Sequence, residues 1–127
     1  MRWLLDTNIL IDAFAGRSDA VRTIDEARAQ NVEWIGYSAV TRLEILGFSG
    51  LSAADERGLK DLLAEFQEAA ITSAVVEQAI EIRKATRIKI PDALIAATAI
   101  VHEAELVTRN AMDFKSVGRL KMINPAL

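Results

Sequence analysis

The chain has 127 residues, 51% hydrophobic and 26% charged, with a net charge of −3 and no cysteine. That length suits one folded domain over residues 1–127, and the mild negative charge does not suggest a general nucleic-acid sponge. The missing cysteine excludes disulfides, thiolate metal sites and thiol nucleophiles; with no membrane-length apolar run and no signal-peptide pattern in MRWLLDTNIL, a cytoplasmic domain is expected.

Residues 2–6 (RWLLD) read as a first strand. Val21, Ile24 and Ala27 then mark a helix face, with Ser18 as a plausible cap. Residues 33–37 (EWIGY) read as a second strand, and Val40, Leu43 and Leu46 mark the helix after it. Leu59, Leu62, Leu63 and Phe66 fall at i, i+3, i+4 and i+7, the spacing of an amphipathic helix. A weaker strand is expected near Ala70–Thr72, followed by a helix with Val76, Ala79 and Ile80 inward. Pro91 suits a first helical turn and opens a helix through ALIAATAIVH. Residues 105–108 (ELVT) and 121–124 (KMIN) complete the strands. This alternation predicts an α/β fold, a three-layer α/β/α sandwich around a mainly parallel sheet of four to five strands.

Charge is uneven along the chain. Residues 1–82 carry seven basic and fourteen acidic side chains, whereas residues 83–127 carry eight and four. The densest basic stretch, RKATRIK, holds Arg83, Lys84, Arg87 and Lys89 just before Asp92. It reads either as a solvated helix end or as a positive rim beside an acidic centre.

Four acids stand in apolar company: Asp6 in WLLDTNIL, Glu44 in VTRLEILGF, Asp92 in IPDALIAATAI and Asp113 in LVTRNAMDF. Each has an ordinary explanation alone. Asp6 and Asp113 could cap helices, Asp92 could favour a helix dipole, and Glu44 could pair with Arg42. Together they say more. In a parallel α/β sheet the segments after strand C-termini converge on one edge, where ligands bind. Asp6 and Asp113 follow predicted strands, while Glu44 and Asp92 fall early in predicted helices, so all four are expected at that edge.

Two carboxylates about 4 Å apart repel by about 4 kcal/mol at an effective dielectric of 20, so such a cluster needs a cation or protons. An all-oxygen ligand set, without cysteine and with one histidine, points to Mg²⁺ or Mn²⁺. That chemistry fits phosphodiester hydrolysis better than acyl transfer, which wants a nucleophile and base pair.

The ordered strings LLDTNILID, VTRLEILGF, PDALIAATA and LVTRNAMDF resemble the PIN-domain family, and within it the VapC-type ribonuclease toxins of type II toxin–antitoxin systems. The resemblance covers residues 3–114. It implies a helix-covered parallel sheet and Mg²⁺-dependent cleavage of RNA. It also implies an acidic site of Asp6, Glu44, Asp92 and Asp113, with Asp6 and Asp92 as principal metal ligands. Glu44 and Asp113 would support the metal or the attacking water, and Thr7, Asn8 and Thr108 would orient the carboxylates. Asn110 stands where many members carry a further acid, which leaves open one metal or two and whether Asp113 is a direct ligand. A homodimer inhibited by a small cognate antitoxin is also implied.

Arg109, beside Thr108, is a candidate phosphate contact as well as an ordinary surface arginine. His102 reads as a helix-end residue, and Trp3, Trp34 and Phe66 as core. No glycine pattern makes a phosphate loop. The competing function is a PIN-like binding module without cleavage, acting through a partner protein or operator DNA. A receiver-type phosphoacceptor is a distant third, because Asp6-Thr7 does not supply the acidic pair it needs.

Overall fold

Trp3, Leu4 and Leu5 lie in the middle strand of the sheet, and their alternating side chains divide the core in two. The computed structural model describes residues 1–125; the last two positions of the expected domain lie outside the described residues. The elements run β1 (Arg2–Leu5), α1 (Thr7–Phe14), α2 (Ser18–Ala29), β2 (Trp34–Ser38), α3 (Ala39–Leu46) and α4 (Ala53–Leu63). They continue with β3 (Gln67–Ala69), α5 (Ser73–Ala85), α6 (Ile90–Val101), β4 (Glu105–Val107), α7 (Ala111–Phe114) and β5 (Met122–Ile123). The five strands are all parallel, in the order β3-β2-β1-β4-β5.

Leu4, with Leu106 of β4, joins Val75, Ile82, Ile95, Phe114 and Val117 on one face. Trp3 and Leu5, with Val107, join Ile9, Leu10, Ile24, Tyr37, Ile45, Leu59 and Leu63 on the other. The period-two alternation of a strand thus feeds two helical layers at once, which yields the expected sandwich. The chain moves outward from β1 through β2 to β3, then returns to place β4 on the opposite side. The reversal falls between β1 and β4, and in open α/β sheets ligands bind outside the C-terminal ends of the strands at such a point.

Several local expectations shift. The weak strand falls at Gln67–Ala69 rather than Ala70–Thr72, because Thr72 is spent as the α5 cap, its hydroxyl accepting from the Val75 amide at 3.2 Å. Ser18 is the first helical residue and not the cap, a position held by Arg17. On α3 the inward residues are Thr41 and Ile45, whereas Leu43 is 73% exposed. The inward stripe of α5 is Val75, Ala79 and Ile82, with Val76 and Ile80 exposed. Phe66 is buried but lies beyond the end of α4. Trp34 is only half-buried; its ring stacks on His102 at 4.9 Å, with the Arg2 guanidinium over it. Among the described residues no helix is long and apolar enough to cross a membrane.

Gly36 in β2 makes the Trp34 packing possible. A Cβ there would lie 2.4 Å from the Trp34 ring and 2.8 Å from the Gln67 carbonyl oxygen. Gly36→Ala is therefore expected to cost about 1–3 kcal/mol in urea unfolding, the usual penalty of overpacking. An unchanged midpoint would show that the ring and strand yield freely.

Candidate active site

Asp6 directly follows the C-terminal end of β1. Its amide donates to the Val107 carbonyl at 2.9 Å, which ties the residue to β4 before α1 begins. Asp6 is 5% exposed, so its carboxylate needs compensation. Oδ1 accepts from the Thr7 amide at 2.8 Å; Oδ2 accepts from the Thr108 hydroxyl at 2.7 Å and the Asn8 side-chain amide at 3.0 Å. Asp6 is thus the N-cap of α1.

These donors are themselves oriented. The Thr108 hydroxyl accepts from the Asn110 amide at 3.0 Å, which leaves its proton for Asp6. Asn8 accepts from the Arg109 amide at 3.2 Å through Oδ1, which turns its Nδ2 toward Asp6. Thr7 donates its hydroxyl proton to Glu44 at 2.8 Å, and Thr41 lies 2.9 Å from the same oxygen. Since Thr7 has one hydroxyl proton, Thr41 is the donor in that second contact.

Glu44 is exposed and sits sixth of eight residues in α3, later than expected; its reach to Thr7 still brings it to the edge. It does not pair with Arg42, whose guanidinium holds Glu68. Asp92 is half-buried in the first turn of α6. Asp113 is exposed, inside the four-residue α7 capped by Asn110.

Burial pushes the Asp92 carboxyl above its ordinary range, and the negative charges of Asp6, Asp113 and Glu44 push it further, with Lys89 opposing. The four acids therefore share one electrostatic neighbourhood. Asp6 is also raised, by burial first and by Glu44 in smaller part, against the three hydrogen bonds it accepts. Arg83 and Lys84 lie in the last turn of α5, where Arg83 donates to the Ile88 carbonyl at 2.8 Å and Lys84 pairs with Glu81. Of the basic stretch, Lys89 is the residue whose charge reaches Asp92. The Arg109 guanidinium is engaged by buried Asp12, with Nε 3.0 Å from Oδ2.

Asp12 and Thr41 escaped the sequence reading. Asp12 lies among apolar residues in NILIDAF, four positions after Asn8, and Thr41 shares a helix face with Glu44. The criteria that singled out the other acids and their neighbours apply equally to both.

A carboxylate offers about four acceptor positions, and Asp6 spends three on the chain itself. Among the described residues no three Asp, Glu, His or Cys side chains close into a ready-made metal cage. The acceptor position left on Asp6 and the Asp92 carboxyl are oxygen donors, the type that hard cations such as Mg²⁺ take.

A family model described as PIN domain matches residues 3–120. The chain is 31% identical to Ribonuclease VapC10 of Mycobacterium tuberculosis, over 93% of this chain and 90% of that protein. A chain in the structure of VapBC2 from Rickettsia felis bound to a promoter DNA fragment matches with a TM-score of 0.82, at 26% identity and 98% coverage of each chain. A chain of a toxin–antitoxin complex from Klebsiella pneumoniae matches at 0.74, with 33% identity and 96% coverage of each.

The raised Asp92 carboxyl fixes the sign of a pH effect. The folded protein keeps a proton that the unfolded chain releases near 3.8, so metal-free stability falls as pH rises from that value through the folded pKa, and stays lower above it. Asp92→Asn is expected to flatten this decline and to raise the Tm at neutral pH in chelator. A lower Tm there would mean that Asp92 is not crowded by its neighbours.

Proposed function

Because the chain belongs to the PIN-domain family and the charges of Asp6, Asp113 and Glu44 act on Asp92, we propose that it is a metal-dependent endoribonuclease, the toxin of a type II toxin–antitoxin system. The observation that carries the chemistry is the negative charge acting on Asp92, whose carboxyl is raised by burial first and then by Asp6, Asp113 and Glu44. A site made only to bind an anion gains nothing from such a cluster, whereas a divalent cation turns it to use.

In this reading Asp6 and Asp92 hold Mg²⁺, or Mn²⁺ in its place. When bound, such an ion lowers the pKa of its water and stabilises charge on a phosphoryl oxygen. Thr7, Asn8 and Thr108 keep the Asp6 carboxylate aimed and charged through the bonds it accepts. Glu44, anchored by Thr7 on one oxygen, and Asp113 on α7 orient the attacking water and accept its proton. Water oxygen would add to phosphorus as the bond to the leaving ribose oxygen breaks, and that oxygen would take a proton from solvent to leave as a hydroxyl. Lys89, whose charge acts on Asp92, would meet the RNA backbone there.

The toxin role rests on the likeness to VapC10 and to chains of the two antitoxin-containing complexes. A small cognate antitoxin is then the inhibitory partner, and the working unit is a homodimer. Asp6→Asn and Asp92→Asn should each lower cleavage of a structured RNA at least about 100-fold in Mg²⁺ or Mn²⁺, and chelator should abolish it in the parent protein. Circular dichroism checks that both variants fold. Cleavage left intact in both would overturn the assigned site.

A further inference from the structure

Asp12 is buried to 7% exposure on α1, one helical turn beyond Asn8, and an ionised carboxylate there demands a partner. Arg109 supplies it from the turn between β4 and α7, more than ninety positions away in sequence. The Arg109 backbone amide donates to Asn8, whose Nδ2 donates to Asp6. The flanking residues of that turn are Thr108, which donates to Asp6, and Asn110, whose amide orients the Thr108 hydroxyl. One ion pair therefore anchors the segment that supplies or directs two of the three bonds held by the Asp6 carboxylate. The same turn leads into α7, which carries Asp113.

We propose that the Asp12–Arg109 ion pair is a positioning device that aims Asp6 and the turn before Asp113. This rests on the ribonuclease reading for its kinetic consequence, but the clamp itself is a property of the chain without metal or RNA. Removing either partner would leave the other charge without its ion pair, and for buried Asp12 that is strongly unfavourable.

The test compares Asp12→Asn, Asp12→Ala, Arg109→Lys, Arg109→Ala and the double alanine variant, which leaves neither charge buried alone. Amide hydrogen exchange of Arg109 and Asn110, read by NMR without metal or RNA, should accelerate at least about tenfold in the alanine variants. With RNA, kcat should fall about 10- to 100-fold while KM stays within about twofold, because misplacement affects the reacting geometry rather than binding. The double variant should be no worse than the poorer single one, and Arg109→Lys should recover kcat to within about threefold. Asp12→Asn, which keeps shape and acceptor, carries the test if Asp12→Ala does not fold. A raised KM with unchanged kcat in Arg109→Ala, or a double variant with parental kcat and protected amides, would overturn the proposal. If the parent protein cuts no RNA, the exchange measurement still decides for or against the clamp.

Discussion

The carboxylate of Asp6, held out of water at the end of the central strand, sets terms that much of the surrounding chain meets. Burial alone favours its neutral form, and the three hydrogen bonds it accepts oppose that tendency. One comes from the backbone where α1 begins, one from the first turn of α1 and one from the residue after β4. Adjacent parallel strands and the helix that follows the first of them are therefore tied together at the point where the strand order reverses. Thr108, fully buried, is an interior residue whose polarity has this purpose.

Glu44 adds repulsion to Asp6, and Asp6, Asp113 and Glu44 together add it to Asp92. Lys89 offsets part of it, while Arg42 and Arg109 are committed to Glu68 and Asp12. Such an arrangement raises the cost of ionising Asp92 in the free protein. The opposite edge has different chemistry: Arg2 donates to the His102 carbonyl at 2.6 Å and covers the Trp34 ring stacked on His102. Burial and the charge of Arg2 hold the His102 imidazole below its ordinary pKa, so its place there is that of a neutral packing surface.

Strand–helix alternation and the four acids were legible in the sequence because each rests on short-range pattern: apolar runs, Pro91 at a helix start, and carboxylates with apolar neighbours. Helix rotation was less so. Val40, Leu43 and Leu46 look like a buried stripe, yet α3 turns Thr41 and Glu44 toward Thr7 and leaves Leu43 in solvent, because tertiary hydrogen bonds fix a helix this short. The Asp12–Arg109 pair joins positions that nothing in local sequence relates, and α1 hides Asp12 inside an apolar run. Trp34 read as core since a tryptophan in a strand usually is; its neighbours His102 and Arg2 become neighbours only in the folded sheet.

The central claim is that these acids form one site for a divalent cation. Paramagnetic broadening by Mn²⁺ in the ¹⁵N spectrum tests it most directly, without RNA and without turnover. Substoichiometric Mn²⁺ should first broaden the amides of Asp6, Thr7, Asp92 and Asn110, with competition by Mg²⁺, and this selectivity should vanish in Asp6→Asn. Broadening spread evenly over surface acids such as Asp55 and Glu56, or unchanged in that variant, would contradict a shared metal site.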